Sequence, residues 1–89
     1  MTINKSTFRF FYSNNQYFVS FRLPIGRKPM CYMNIGTDNR PFNTIIDDIQ
    51  LAFDILIDNY SGDMFLRDVN ILYELPRFLG YRRATSSLT

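Results

Sequence analysis

Eight carboxylates, ten lysine or arginine side chains, six phenols, one thiol and no imidazole are the reactive inventory of this chain. Without histidine there is no His general base, no His metal ligand and no Ser–His or Cys–His nucleophile pair. A single cysteine, Cys31, can form neither an internal disulfide nor a Cys-rich zinc site. With no activating partner it reads as a small apolar packing side chain. The four glycines, at 26, 36, 62 and 80, make no Walker loop and no dinucleotide-binding pattern. Catalytic residues, a bound metal and a cofactor are therefore not expected, and a binding protein is.

The binding chemistry available is arginine among aromatic rings. Arg9, Phe11, Phe18 and Arg22 recur at spacings that could place all four on one side of a β-ribbon. Such a patch, extended by Tyr32, can stack bases and neutralise phosphates. It can equally anchor a protein, because arginine and aromatics dominate interface hot spots. Arg27-Lys28, between Pro24 and Pro29, is a candidate phosphate-contacting loop or an ordinary solvated turn. Arg82-Arg83 is too short a basic arm to be specific. Asp47, Asp48, Asp54 and Asp58 read as the solvated face of a helix, since no calcium-loop pattern surrounds them. Asp47, Asp54 and Asp58 could also form a second contact set for a basic partner.

Charge is segregated along the chain. Residues 1–40 hold six cations against one acid, residues 41–75 seven acids against one arginine, and residues 76–89 three arginines. The net formal charge is only +2, and lysine occurs just twice. That balance favours a protein or nucleoprotein target over simple phosphate tracking. No apolar run approaches a membrane span of ~18 residues. The start of the chain has no apolar signal segment, and with one thiol this points to a cytoplasmic setting.

The elements that position these residues begin with a hairpin. Thr7–Tyr12 and Tyr17–Leu23 are aromatic-rich runs around Asn14-Asn15, and asparagine tolerates the positive φ of a tight turn. Centring the turn there pairs Tyr12 with Tyr17, Phe11 with Phe18, Phe10 with Val19, Arg9 with Ser20 and Phe8 with Phe21. One face then holds Phe8, Phe10, Tyr12, Tyr17, Val19, Phe21 and Leu23, all apolar or aromatic, and should be core. The other holds Thr7, Arg9, Phe11, Phe18, Ser20 and Arg22. A slip of one residue would mix the two sets.

A third strand spans Met30–Ile35. An amphipathic helix over 43–60 follows, capped by Asn43 or Thr44, with Asp47 and Asp48 in its first turn. Its apolar stripe is Ile45, Ile49, Ala52, Phe53, Leu56 and Tyr60. Residues 64–75 fit a helix stopped by Pro76 or, alternatively, a strand, and the helix is preferred. It could cover Leu51 and Ile55, a minor apolar strip on the first helix. Alternatively, residues 64–83 could fold over the Arg/Phe face and bury it.

The expected architecture is α+β: a three-stranded antiparallel sheet, a hairpin plus a third strand, packed on an amphipathic helix, with a second C-terminal helix. Residues 1–89 form one domain, ordered over 7–83, with 84–89 a loose tail.

Three strands, then a helix carrying Ala52-Phe53-Asp54, then Tyr60, Gly62 and Asn70, resemble the Apetala-type DNA-binding domain over residues 7–70. That family has an Ala-Tyr-Asp triplet on its helix and places its exposed sheet in the major groove, with Arg and Trp in contact. The resemblance implies DNA-contacting roles for Arg9 and Arg22; the family's Trp is missing here. In type, the chain also resembles small accessory proteins of phages and mobile elements, anti-CRISPR proteins among them, many of which bind and block host machinery. The expected function is thus a non-enzymatic, phage-type inhibitor of a host protein or nucleoprotein complex. A DNA- or RNA-binding domain is the alternative, and a homodimer through the sheet face or an edge strand is a further expectation.

Overall fold

A computed structural model describes residues 2–60 and 64–84, with backbone alone for 64–69. Asn14 and Asn15 both adopt positive φ, 53° and 62°. That is the geometry of a two-residue hairpin turn whose twist matches its strands. It joins β1 (Arg9–Ser13) to β2 (Gln16–Arg22) in the register that the alternation predicts, with Phe11 opposite Phe18 and Phe10 opposite Val19. β3 (Met30–Gly36) pairs antiparallel with β2, with a register shift between Tyr17 and Phe18 opposite Ile35; Cys31, Met33 and Ile35 alternate inward.

The helix α1 runs Phe42–Asn59. It begins ahead of the predicted caps, and neither Asn43 nor Thr44 closes its end. Pro41 is the capping residue, and its carbonyl accepts the amides of Thr44 (2.9 Å) and Ile45 (3.2 Å). Phe42 is drawn into the helix by stacking on Phe10, with ring centroids 4.0 Å apart. Asp47 and Asp48 consequently fall outside the first turn. The predicted stripe is buried, joined by Ile46, while Tyr60 packs at its margin.

The segment that fitted helix or strand is the helix α2 (Met64–Phe78). It does not stop at Pro76. A proline loses one amide bond, but its fixed φ is helical, and here only the final turn follows it. Past the helix, Gly80 at φ +81° closes a Schellman motif. The Gly80 amide reaches the Arg77 carbonyl at 2.9 Å, and the Tyr81 amide reaches Pro76 at 2.8 Å. The chain then turns back along the sheet.

The sheet has four strands rather than three. β4 (Arg82–Arg83) pairs with β3, Asn34 opposite Arg82 and Met33 opposite Arg83, in the order β1-β2-β3-β4. The Ala84 amide bonds the Tyr32 carbonyl at 2.9 Å, so Ala84 is part of the fold and not of a tail. The rest of the expected tail, 85–89, lies outside the described residues.

Both helices lie against one side of the sheet. Val19, Phe21, Leu23, Met33, Ile45, Ile49, Phe53, Ile71 and Leu75 are all 0% exposed in a single core. Ile3 joins them; the Gln50 side-chain amide holds its backbone by two bonds, donating to the Ile3 carbonyl (2.9 Å) and accepting its amide (3.1 Å). Leu51 and Ile55 stay exposed, so α2 does not cover them as expected.

Candidate functional site: the open face of the sheet

Pleating sends alternate side chains of β2 and β3 away from the helices. Phe11, Phe18 and Asn34 form one row across the strands, continued by Arg82. Arg9, Ser20 and Tyr32 form the next, and Arg22 and Met30 a third. Arg9, Phe11, Phe18 and Arg22 are therefore together on one face, as the hairpin register requires.

α2 does not bury that face. Its described inward side chains, Ile71 and Leu75, sit in the core with α1, on the other side of the sheet. Phe11 is 40% exposed, Arg9 and Arg22 are exposed, and Phe18, Met30 and Tyr32 are half-buried. Only Ser20 is buried, between the longer side chains of its cross-strand neighbours Arg9 and Tyr32.

The two predicted arginines are held in place by backbone. Arg9 donates through Nη1 to the carbonyls of Ser6 and Phe8, both at 2.8 Å. Arg22 donates through Nη1 to the Lys28 carbonyl at 2.8 Å. Each keeps further N–H groups for a partner, because a guanidinium carries five. The same bond ties the Arg27-Lys28 loop to the Arg22 end of the face. Both loop residues are exposed, and Lys28 has φ 56°.

Asp47, Asp54 and Asp58 are elsewhere. They are exposed on the outer side of α1, in the layer on the far side of the sheet. They form a set separate from Arg9 and Arg22, on another layer of the fold. Among the described residues there is no group of three or more His, Cys, Asp or Glu side chains that could hold a metal. Cys31 is 1% exposed on the core side of β3, and burial pushes its thiol up to about 12.

Two features of this face are new relative to the sequence. Arg82, brought in by β4, adds a third arginine to the face. Beside it lies a hollow of about 280 Å³ lined by Gln16, Asn34, Gly36, Gly80, Tyr81 and Arg82. Asn34 spans its floor, donating to Gln16 Oε1 (3.0 Å) and accepting the Gly36 amide (2.8 Å).

The strongest polar cluster is structural. Arg40 donates to both Asp38 oxygens (Nε to Oδ1 3.0 Å, Nη2 to Oδ2 2.9 Å), to Asp48 Oδ2 (2.7 Å) and to the Tyr81 hydroxyl (3.1 Å). Tyr81 donates in turn to Asp38 Oδ2 at 2.5 Å. The Arg40 hydrogen bonds, aided by Tyr81, hold the Asp38 carboxyl down at about 2 against the effect of its burial. Burial first, then its bond to Asp38, raises Tyr81. The hydrogen bonds of Arg40 to Asp38, then to Asp48 and Tyr81, raise the Arg40 guanidinium. The cluster clamps the β3–α1 loop, α1 and the return from α2. No motif announces it, because Asp38 and Tyr81 are 43 positions apart.

No protein family, curated protein or solved structure matches this chain. Among the described residues, no helix is long and apolar enough to cross a membrane.

Proposed function

We propose that this is a small non-enzymatic binding protein of the phage-inhibitor type, which docks its open sheet face on a host protein or nucleoprotein complex. The observation that supports this most is the placement of Phe11 and Phe18 in one row with Arg82, next to the row of Arg9 and two rows from Arg22, on a face that no described element covers. A solvent-facing aromatic patch of this kind costs solubility and needs a use. The bonds from Arg9 and Arg22 to backbone carbonyls restrict both guanidinium groups before any partner arrives, which lowers the entropy lost on binding.

Direct nucleic-acid binding is the second reading, and Arg82 favours it. With Arg9, Arg22 and the Arg27-Lys28 loop it brings five cations to the face and its rim, beside rings that could stack on bases. The resemblance to the Apetala-type domain leans the same way.

One experiment addresses both. The chain is titrated against labelled duplex and single-stranded DNA and RNA at two salt concentrations, alongside pull-down of host proteins. Both use the native chain and an Arg9→Glu/Arg22→Glu variant. The protein-docking reading expects little nucleic-acid binding even at low salt, and partner capture reduced at least about tenfold by the variant. Tight binding with a steep salt slope would reverse the order of the two readings. Capture unaffected by the variant would reject the face.

A further inference from the structure

β1 is an edge strand, and its free edge is closed at one end and open at the other. In a two-residue hairpin the pair beside the turn, Ser13 and Gln16, is hydrogen-bonded, and bonded pairs alternate from there. Phe11 and Arg9 therefore bond β2. Phe8, Phe10 and Tyr12 point their amides and carbonyls outward. Phe8 is satisfied at both groups: its amide reaches the Lys5 carbonyl at 3.2 Å, and its carbonyl accepts Arg9 Nη1 at 2.8 Å. Among the described residues nothing bonds the four outward groups of Phe10 and Tyr12.

The devices that normally blunt an edge are missing from that stretch. Phe10-Phe11-Tyr12 contains no proline, no charge and no bulge. On its helix side, Phe10 stacks on Phe42 and Tyr12 lies 4.7 Å from Tyr17. Yet Tyr12 remains 62% exposed and Phe42 48%. The aromatic layer extends past the helices and ends in solvent.

We propose that a second copy of the chain occupies this edge. The two β1 strands run antiparallel about a two-fold axis at Phe11, and Phe10 of each copy exchanges backbone hydrogen bonds with Tyr12 of the other. The strand's own order selects this occupant. Centring on Phe11 matches the two outward-facing residues to each other and satisfies all four open groups in each copy. It sets Arg9 opposite Ser13, so no like charges meet. It joins Phe10, Tyr12 and Phe42 of both copies into one aromatic cluster, and stacks Phe11 on its own counterpart. A shift of two residues would bring the edge against the already closed Phe8 and lose half the bonds.

The area sets the strength. The exposed parts of Phe11, Tyr12 and Phe42 amount to roughly 300–400 Å² per copy at typical aromatic surface areas. A standard interface buries about 800 Å² per partner. The dimer should therefore be weak and concentration-dependent, with dissociation in the micromolar-to-millimolar range. It would form one eight-stranded sheet and double the face described above. It does not depend on what that face binds.

Sedimentation velocity over about 1 µM to 1 mM reads the association directly. The native chain should pass from monomer to dimer. Tyr12→Lys should weaken the dimer at least about thirtyfold while leaving Arg9, Phe18 and Arg22 untouched. Ser13→Glu, which places an acid opposite Arg9 of the other copy, should tighten it several-fold. Amide exchange fixes the register, since Phe10 and Tyr12 should gain protection with concentration while Phe11 is protected throughout. A chain that stays monomeric across the range overturns the proposal. So does a dimer that forms without protecting the Phe10 and Tyr12 amides.

Discussion

The two faces of the hairpin are built from nearly the same residues and meet opposite fates. On one, Phe8, Val19 and Phe21 are 7%, 0% and 0% exposed, beneath α1 and α2. On the other, Phe11 is 40% exposed and Phe18 half-buried, flanked by arginines. Phe10 and Phe11 are adjacent in sequence and end in different environments. Residue type does not decide which ring becomes core: the parity of its position from the Asn14-Asn15 turn selects the side, and cover by the helices decides the rest, since Tyr12 shares the side of Phe8 and Phe21 but, expected in the core, is 62% exposed beside the turn. Sealing one face also needs a helix to lie on it, and both helices present their apolar sides to the same layer. Among the described residues, the other face is left open by topology.

Truncation should separate the faces most sharply. Phe21→Ala removes a fully buried ring stacked on Phe8 at 4.8 Å, and should cost about 3–5 kcal/mol in urea unfolding. Phe18→Ala, which trims a half-buried ring on the open face, should cost only about 1–2 kcal/mol. Equal losses would break the contrast between the faces.

An intermediate effect belongs to the clamp behind the sheet. Asp38 is held at about 2 when folded, below the 3.8 of a free aspartate, so the folded chain takes up this proton later than the unfolded one. The stability it supplies is whole above the unfolded value and is lost as pH falls from about 4 through about 2. Solvent screening limits the loss to about 1 kcal/mol. Asp38→Asn should flatten the acid limb of the stability–pH curve in that window. An unchanged limb would show that the clamp contributes nothing to folding.

The smallest effect is expected on the outer side of α1. Leu51→Gln replaces a side chain 61% exposed and should move stability by less than about 0.5 kcal/mol, measured by the same unfolding. A larger loss would mean that this strip, too, is sealed.

What the sequence reveals follows from the range of the interactions. The hairpin register is local: two asparagines fix the turn, and alternation does the rest, so the Arg/Phe face is legible residue by residue. The α1 stripe is local as well. Its first turn is not, because Phe42 is recruited by Phe10 from another element. β4 is only two residues long and has no periodicity to detect. It forms because the Schellman turn at Gly80 aims the chain back at β3, and that turn is what brings Arg82 to the face. Ile3 sits among polar neighbours in sequence, and the contacts that make it core are long-range: the Gln50 bonds to its backbone and the apolar cluster around its side chain. Pro76 reads as a stop when propensity alone is weighed. Packing carries the helix through it.

The native thiol makes a direct test of the central claim possible. Cys31 is buried and its thiol is pushed up to about 12, so it should be nearly inert to maleimide in the folded chain. Against that background, Phe11→Cys and Val19→Cys place one thiol on each face of the same ribbon. Phe11→Cys should react as fast as an unstructured thiol. Val19→Cys should react only through unfolding, slower by about three orders of magnitude. Comparable rates at the two positions, or a faster Val19→Cys, would contradict a ribbon with one sealed side and one open side.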